Sequence, residues 1–411
     1  MKATTPTRAK GVIETDRKVT GFLSVGRDGL YFHNAILAAK ASITASACLE
    51  ARASFTVANG FKDKAIANMV VNRQGQTCDE ILAATGENLA KGEYMALHFR
   101  YNGFGKIVSI RPVSFEIVQY AKPDDLNNIS RAGIFPYMAS TLYKNKAKKP
   151  SAVLDLFNPD PDVVLSQMAA AGGIEKWQGQ LLFDPLKKPV NGYYHVANWM
   201  EAGIDDIETE HELSVYDHRT VLNGFSGSGF LVVVEEPVET TNNDDDEFTE
   251  LDDNGNAIVR REPLQRDSND IENQMVSMMG NREAGNTMVL RFKDKETAAA
   301  ARWIEASASQ LANRYSSTAE RVKVNISTVM KTPGELANVR RAGGMTPTGD
   351  EVRVASQLMQ ATVNPWQRKI TQTFERIFQH WHRPMPSMDF TIENLNYFTE
   401  KTTDDNATLA N

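Results

Sequence analysis

The sequence predicts an α+β fold in which long helices bracket a small inserted module, and three observations carry that prediction. A charged helical run from Ile204 stops at Asn223-Gly224-Phe225-Ser226-Gly227-Ser228-Gly229 and restarts at once as a strand, Phe230–Glu235. Asn and Gly tolerate the left-handed backbone that ends a helix, and the β-branched run after them favours extended chain. Asn223, Gly224, Gly227 and Gly229 therefore specify a joint from both sides. A second helical run covers 294–330 beyond the module. Nearer the N-terminus, Tyr94–Tyr101, the turn Asn102-Gly103 and Lys106–Ile110 read as an antiparallel hairpin.

Taken in order, the chain first predicts a helix over His33–Ser54, where Ile36, Ala39, Ile43 and Ala47 recur at helical spacing among small residues. A second helix, Cys78–Ala90, precedes the hairpin, and Pro112–Tyr120 is expected to add a third strand. Gly103 and Gly105 lack the third glycine and following helix of a phosphate loop, so they read as a hairpin turn. Residues 121–196, rich in Pro, Asn, Asp and Gly, read as strands and loops at a surface. Their basic run Lys144–Lys149 is a solvated loop or a nucleic-acid contact.

Inside the module, residues 240–256 are acidic and carry too little apolar content to fold alone. Their Asp/Asn spacing does not meet that of a calcium loop. Ile271–Met279 predicts a short helix, and Thr287–Phe292 a strand able to pair with Phe230–Glu235 and close the module. The helix after it carries Trp303, Leu311, Val322, Ile326 and Val329, and an unbroken run would reach about 55 Å.

Lys331–Gly349 breaks into a loop punctuated by Pro333, Gly334, Gly343, Gly344, Pro347 and Gly349, and it carries Lys331, Arg340 and Arg341. A helix follows from about Asp350, with Val352, Ala355 and Met359 on one face. Asn364-Pro365 interrupts it before Trp366, Ile370, Phe374, Ile377, Phe378 and Trp381 continue the stripe. Proline lacks an amide hydrogen and clashes with the preceding turn, so a kink or restart is expected at Pro365. Asp389–Tyr397 reads as a short strand, and residues 399–411 as a disordered polar tail.

Composition narrows the function. The chain has 411 residues, 41% hydrophobic and 24% charged, enough to bury one large core or two to three modest ones. Two cysteines, Cys48 and Cys78, exclude a disulfide scaffold or a four-thiolate zinc site and fit a reducing cytoplasm. The N-terminal residues lack the apolar core of a secretion signal, and no run approaches the roughly 20 apolar residues of a membrane span. A net charge of −7 disfavours a tight general grip on DNA, which needs clustered cations against phosphate. It is compatible with a conduit through which a duplex must slide.

No catalytic constellation is legible, so the sequence predicts neither an enzyme nor a bound metal or cofactor. His33, His98, His195, His211, His218, His380 and His382 are scattered. His211 and His218 share a helix face but stand roughly 10 Å apart along it, too far to share a metal. His380 and His382 fall on different faces. The carboxylates Asp205, Asp206, Glu208, Glu210 and Glu212 mix faces and read as a wet helix surface.

Glu208–Val234, running through the glycine-rich joint, resembles the way into the clip module of portal proteins, the rings through which tailed bacteriophages package DNA. Thr77–Tyr120 resembles that family's wing, and Gly349–Phe378 its long kinked helix behind a tunnel loop. The resemblance covers about His33 to Phe398 and resides in local wording and the order of parts. It divides the chain into a wing (1–200), a stem helix (201–224), a clip (225–293) holding the acidic loop 240–256, a second stem helix (294–330), a tunnel loop (331–349), and a kinked helix returning to wing or crown (350–398).

The resemblance implies a closed homo-oligomeric ring, usually of twelve subunits, at one vertex of the virion capsid, assembled in the host bacterial cytoplasm. It implies docking of the terminase large subunit, a neck or adaptor protein and the major capsid protein, with no membrane partner. Double-stranded DNA would pass without sequence recognition, and the subunit would catalyse nothing. Lys331, Thr332, Arg340, Arg341, Gly343 and Gly344 would then face the channel. The chain is short for the family, and little remains after Trp381 to form a crown. The alternative is another oligomeric virion or scaffold protein that encloses no DNA; a metal-dependent hydrolase is a third class.

Overall fold

The structure, a computed structural model, describes residues 14–17, 21–26, 29–136, 149–189, 192–222, 230–234, 288–292, 308–337 and 348–395. The fold is α+β. The chain divides into one compact unit built from both of its ends, residues 1–210 and 320–411, and a second made of 211–319. The division cuts through the two long helices rather than falling at their ends.

The first unit is organised by a mixed six-stranded sheet. Its strands are β3 (Tyr94–Tyr101), β4 (Ile107–Pro112), β5 (Val118–Tyr120), β6 (Arg131–Ile134), β7 (Ala152–Leu156) and β8 (Gln180–Pro185), in the spatial order β4-β3-β8-β7-β6-β5. All neighbours are antiparallel except β7 and β8. Separately, β1 (Glu14–Arg17) and β2 (Phe22–Val25) form an antiparallel pair.

Both faces of the sheet are covered, because side chains alternate along a strand. Tyr94 and Ala96 of β3, with Leu181 and Phe183 of β8, enter one core. Met95, Leu97, Phe99 and Leu182 enter the other. The first core is closed by α1 (Tyr31–Ala41), part of α2 (Ile43–Val57), α6 (Asn198–Ala202), the start of α7 (Ile204–Leu222) and the end of α8 (Ala308–Val329). The second is closed by α3 (Lys64–Ala67), α4 (Cys78–Gly92), α5 (Pro161–Ala170) and α9 (Gly349–Phe378).

Local chemistry sets the helix ends. Thr77 and Thr348 each open a helix with a reciprocal capping box, using Glu80 and Glu351. The apolar stripe of α9, Met359, Val363, Trp366, Ile370, Phe374 and Ile377, is buried throughout.

Five expectations are corrected. The helix expected over His33–Ser54 is two helices, because Ser42 leaves helical geometry and its hydroxyl caps α2 by accepting from the Ala45 amide. The hairpin connection is longer than a two-residue turn: Asn102 Oδ1 accepts from the Phe104 and Lys106 amides, and Gly105 takes the left-handed position, φ 71°. Pro112–Tyr120 does not extend the hairpin; only Val118–Tyr120 is a strand, and it sits at the opposite sheet edge. Asp389–Tyr397 forms no regular strand over its described part, which is extended chain bridged at Phe61 and Ile392 and held by backbone hydrogen bonds from the Asn59, Lys62 and Glu393 amides, with Phe390 fully buried. Of the kink or restart expected at Pro365, the restart is absent: α9 runs on through the proline. The region 121–196 also contains a helix not anticipated, α5, whose start Asp160-Pro161 is a cap followed by a first-turn proline.

In the second unit, β9 (Phe230–Val234) and β10 (Met288–Phe292) pair in parallel, Met288 opposite Phe230. A parallel pair cannot be closed by a tight hairpin turn. The joint 223–229, the acidic stretch 240–256, the segment Ile271–Met279, Trp303 and the tail beyond 395 lie outside the described residues.

Candidate functional site

Of the residues singled out by sequence, Arg340, Arg341, Gly343 and Gly344 of the loop, and Asn223, Gly224, Gly227 and Gly229 of the joint, lie outside the described residues. Lys331, Thr332 and Pro365 are placed. Lys331 follows α8 in the left-handed region, φ 54°, exposed, with its amide on the Thr328 carbonyl. Thr332 is a correction: it is 3% exposed, its amide bonds to Ser327, and its side chain meets Cys48, so it offers no surface to a duplex. Met330, Thr332 and Ala337 anchor the first loop residues in the core, which is why the loop does not leave the body at Lys331.

Lys331 and Pro365 line one cleft of about 480 Å³. Arg368 and Lys369, the next turn of α9, join them, with Lys187 after β8 and His195 ahead of α6. Arg52 and Glu93 complete it, beside Trp199 and Trp366.

The geometry around Glu93 explains how charge is held there. After α4 ends at Gly92, Glu93 takes the left-handed conformation, φ 60° and ψ 32°, closing the helix by an amide bond to Leu89. Its Oε1 lies 3.3 Å from Arg52 Nη2, and its Oε2 lies 2.9 Å from His195 Nε2. Arg52 is 4% exposed, its guanidinium 4.7 Å above the Trp366 ring, and its Nε has no hydrogen-bond partner. Burial pushes the Glu93 carboxyl up, but the His195 hydrogen bond and the charges of Arg52, His195 and Lys187 outweigh it and hold it below its ordinary value. Burial lowers the Arg52 pKa, and Glu93 opposes that shift.

The remaining cations differ. Lys369 Nζ pairs with Asp184 at 2.6 Å. Lys187, Lys331 and Arg368 are exposed and stand in no salt bridge among the described residues; Lys187 acts on Glu93 only at longer range. Glu201 is the second carboxylate at the cleft. Among the described residues no group of three or more His, Cys, Asp or Glu could hold a metal ion, and no helix is long and apolar enough to cross a membrane.

Sequence reading did not find Arg52, Glu93 or His195. One signal was present: Ala45, Cys48, Leu49, Arg52, Phe55 and Thr56 form the buried stripe of α2, and an arginine within such a stripe needs a partner.

The long helices meet on α7 and α8. In the first unit, Asn325 Nδ2 donates to Asp206 Oδ2 at 3.1 Å; in the second, the Tyr216 and Tyr315 rings stack at 5.1 Å. Of the acidic cluster on α7, Glu210 is not idle: its carboxylate accepts from the Ser42 hydroxyl, the Thr44 amide at 3.2 Å and the Thr44 hydroxyl at 2.6 Å, at the start of α2.

No protein-family model and no curated protein matches the sequence. Among the solved structures that are similar are three at 11% identity. A chain of the virion of the native gene transfer agent particle matches with a TM-score of 0.46, over 84% of this chain and 79% of that one. A chain of the neck of the empty particle, computed with C6 symmetry, matches at 0.45 over 85% and 82%. A chain of the neck of the native particle, computed with C12 symmetry, matches at 0.47 over 92% and 84%.

Proposed function

We propose that this chain is a portal-type subunit, one of a closed ring through which duplex DNA passes at a capsid vertex. The observation that carries the reading is the order of parts. Helix α7 leads into a module, that module contains a parallel β9–β10 pair, and α8 leads out of it. The two ends of the chain meanwhile fold into one α+β unit. The wording of Glu208–Val234, Thr77–Tyr120 and Gly349–Phe378 supports the same assignment.

In this reading α7 and α8 form a two-helix stem, with contacts at Asp206–Asn325 and Tyr216–Tyr315. The module at its end is the surface for the terminase large subunit and later a neck protein, and the first unit meets the capsid. The acidic chain repels a duplex at long range, so the DNA slides rather than stalls, while Arg340 and Arg341 touch phosphates briefly. Each such contact is weak and salt-sensitive, as transit requires. Twelve copies are the proposed ring size, following the resemblance.

The second reading is an oligomeric virion or scaffold protein without a channel; the buried stripe of α9 alone would serve either. The assembled state separates them: a ring with a bore of DNA width supports the portal reading, and an oligomer without one supports the second.

A further inference from the structure

We infer that the cleft at Arg52 and Lys331 is a binding site for a phosphate-class oxyanion, either a phosphodiester of nucleic acid or free phosphate. In a chain of net charge −7, Lys187, Lys331 and Arg368 come from three separate elements to one cleft of about 480 Å³ and form no salt bridge among the described residues, Lys187 acting on Glu93 only at longer range. Gathering unpaired like charges raises the energy of the fold unless an anion joins them. Behind them Arg52 is clamped by Glu93 and by the Trp366 ring, and its buried Nε is left without a hydrogen-bond partner.

The charges balance towards an anion. Glu93 neutralises Arg52, and Lys369 is matched by Asp184. Lys187, Lys331 and Arg368 remain, and beyond Glu93 the cleft holds one other carboxylate, Glu201, so it keeps a positive surplus. Lysine and arginine side chains reaching in from a rim, with an aromatic wall behind, suit a tetrahedral oxyanion with several acceptor oxygens. The inference stands on the cleft and does not depend on ring formation, which is measured separately.

The test uses the full chain. Inorganic phosphate is titrated at constant ionic strength against chloride and read by calorimetry and thermal unfolding; a short fluorescent duplex is titrated in parallel and read by anisotropy. The wild type is expected to bind phosphate, with Tm rising by about 2 °C at roughly tenfold excess over Kd. Joint replacement Lys331→Gln and Arg368→Gln, both exposed, is expected to weaken binding by at least about tenfold, and Lys187→Gln alone by less. If the duplex also binds and loses affinity in the double variant, nucleic acid is the source of the phosphate. If phosphate alone binds, a free oxyanion is. No phosphate binding by the wild type, or equal binding by wild type and both variants, overturns the site.

Discussion

Tyr216 on α7 and Tyr315 on α8 stack with ring centres 5.1 Å apart and planes inclined by 27°, although 99 positions separate them in sequence. Everything between them belongs to the inserted module and its flanks. The contact therefore holds the helix that leaves for the module against the helix that returns. Tyr315 remains 40% exposed, so the stack acts as a clasp at a wet surface rather than as core. Burial and the neighbouring Tyr216 raise the pKa of its hydroxyl.

A double-mutant cycle on Tyr216→Ala and Tyr315→Ala is expected to give a coupling energy of about 0.5 kcal/mol, the low end for aromatic pairs because the site is wet. Urea unfolding of the four proteins measures it. Strict additivity would mean that the rings do not hold the helices together.

Glu93→Gln is expected to destabilise the fold by about 3 kcal/mol, since it leaves the buried Arg52 guanidinium without its carboxylate. The acid limb of stability should change with it. The Glu93 carboxyl sits below its ordinary value of 4.5 in the folded chain, so its contribution is complete above that pH and disappears as pH falls through the lower native value. Stability of the wild type against pH, measured from pH 7 to pH 3, should therefore fall more steeply than that of the variant.

Both thiols should be inert in the folded chain. Burial pushes the Cys48 thiol up to about 11, outweighing the Thr332 hydrogen bond and the Arg52 charge, and burial drives Cys78 up as well. A thiol reagent at pH 8 is expected to modify neither until denaturant is added, and then both. Rapid labelling of one cysteine in the native protein would show that its cover opens.

Replacing Arg340 and Arg341 together with Glu should leave assembly unchanged and lower the DNA packaged per particle several-fold, by turning two transient phosphate contacts into repulsions. Quantifying encapsidated DNA after nuclease treatment decides it; undiminished packaging removes both residues from the proposed mechanism.

What the sequence made legible is what short-range physics controls. Thr77 with Glu80 announces α4, the alternation of Tyr94–Tyr101 announces β3, and the stripe from Met359 to Ile377 announces α9. The pairing of β9 with β10 followed from two largely apolar runs able to close one module, although its parallel sense did not. Ser42 hid a helix break because a serine in a run of small residues keeps helical periodicity while its hydroxyl caps the next helix. Pro112–Tyr120 reads as a third strand beside the hairpin because neighbours in sequence usually pair; Val118–Tyr120 instead pairs with β6 at the far edge, a partner later in sequence. The cleft was not legible at all. Arg52, Glu93 and His195 are 41 and 102 positions apart, and only the completed sheet brings them together.

The central claim is tested most directly by the mass and end-on image of the purified chain, from native mass spectrometry and negative-stain microscopy. The account predicts a closed ring of about twelve copies around a bore of roughly 20 Å or more, wide enough for the duplex whose major groove alone spans some 12 Å. A compact oligomer without a central channel would contradict it.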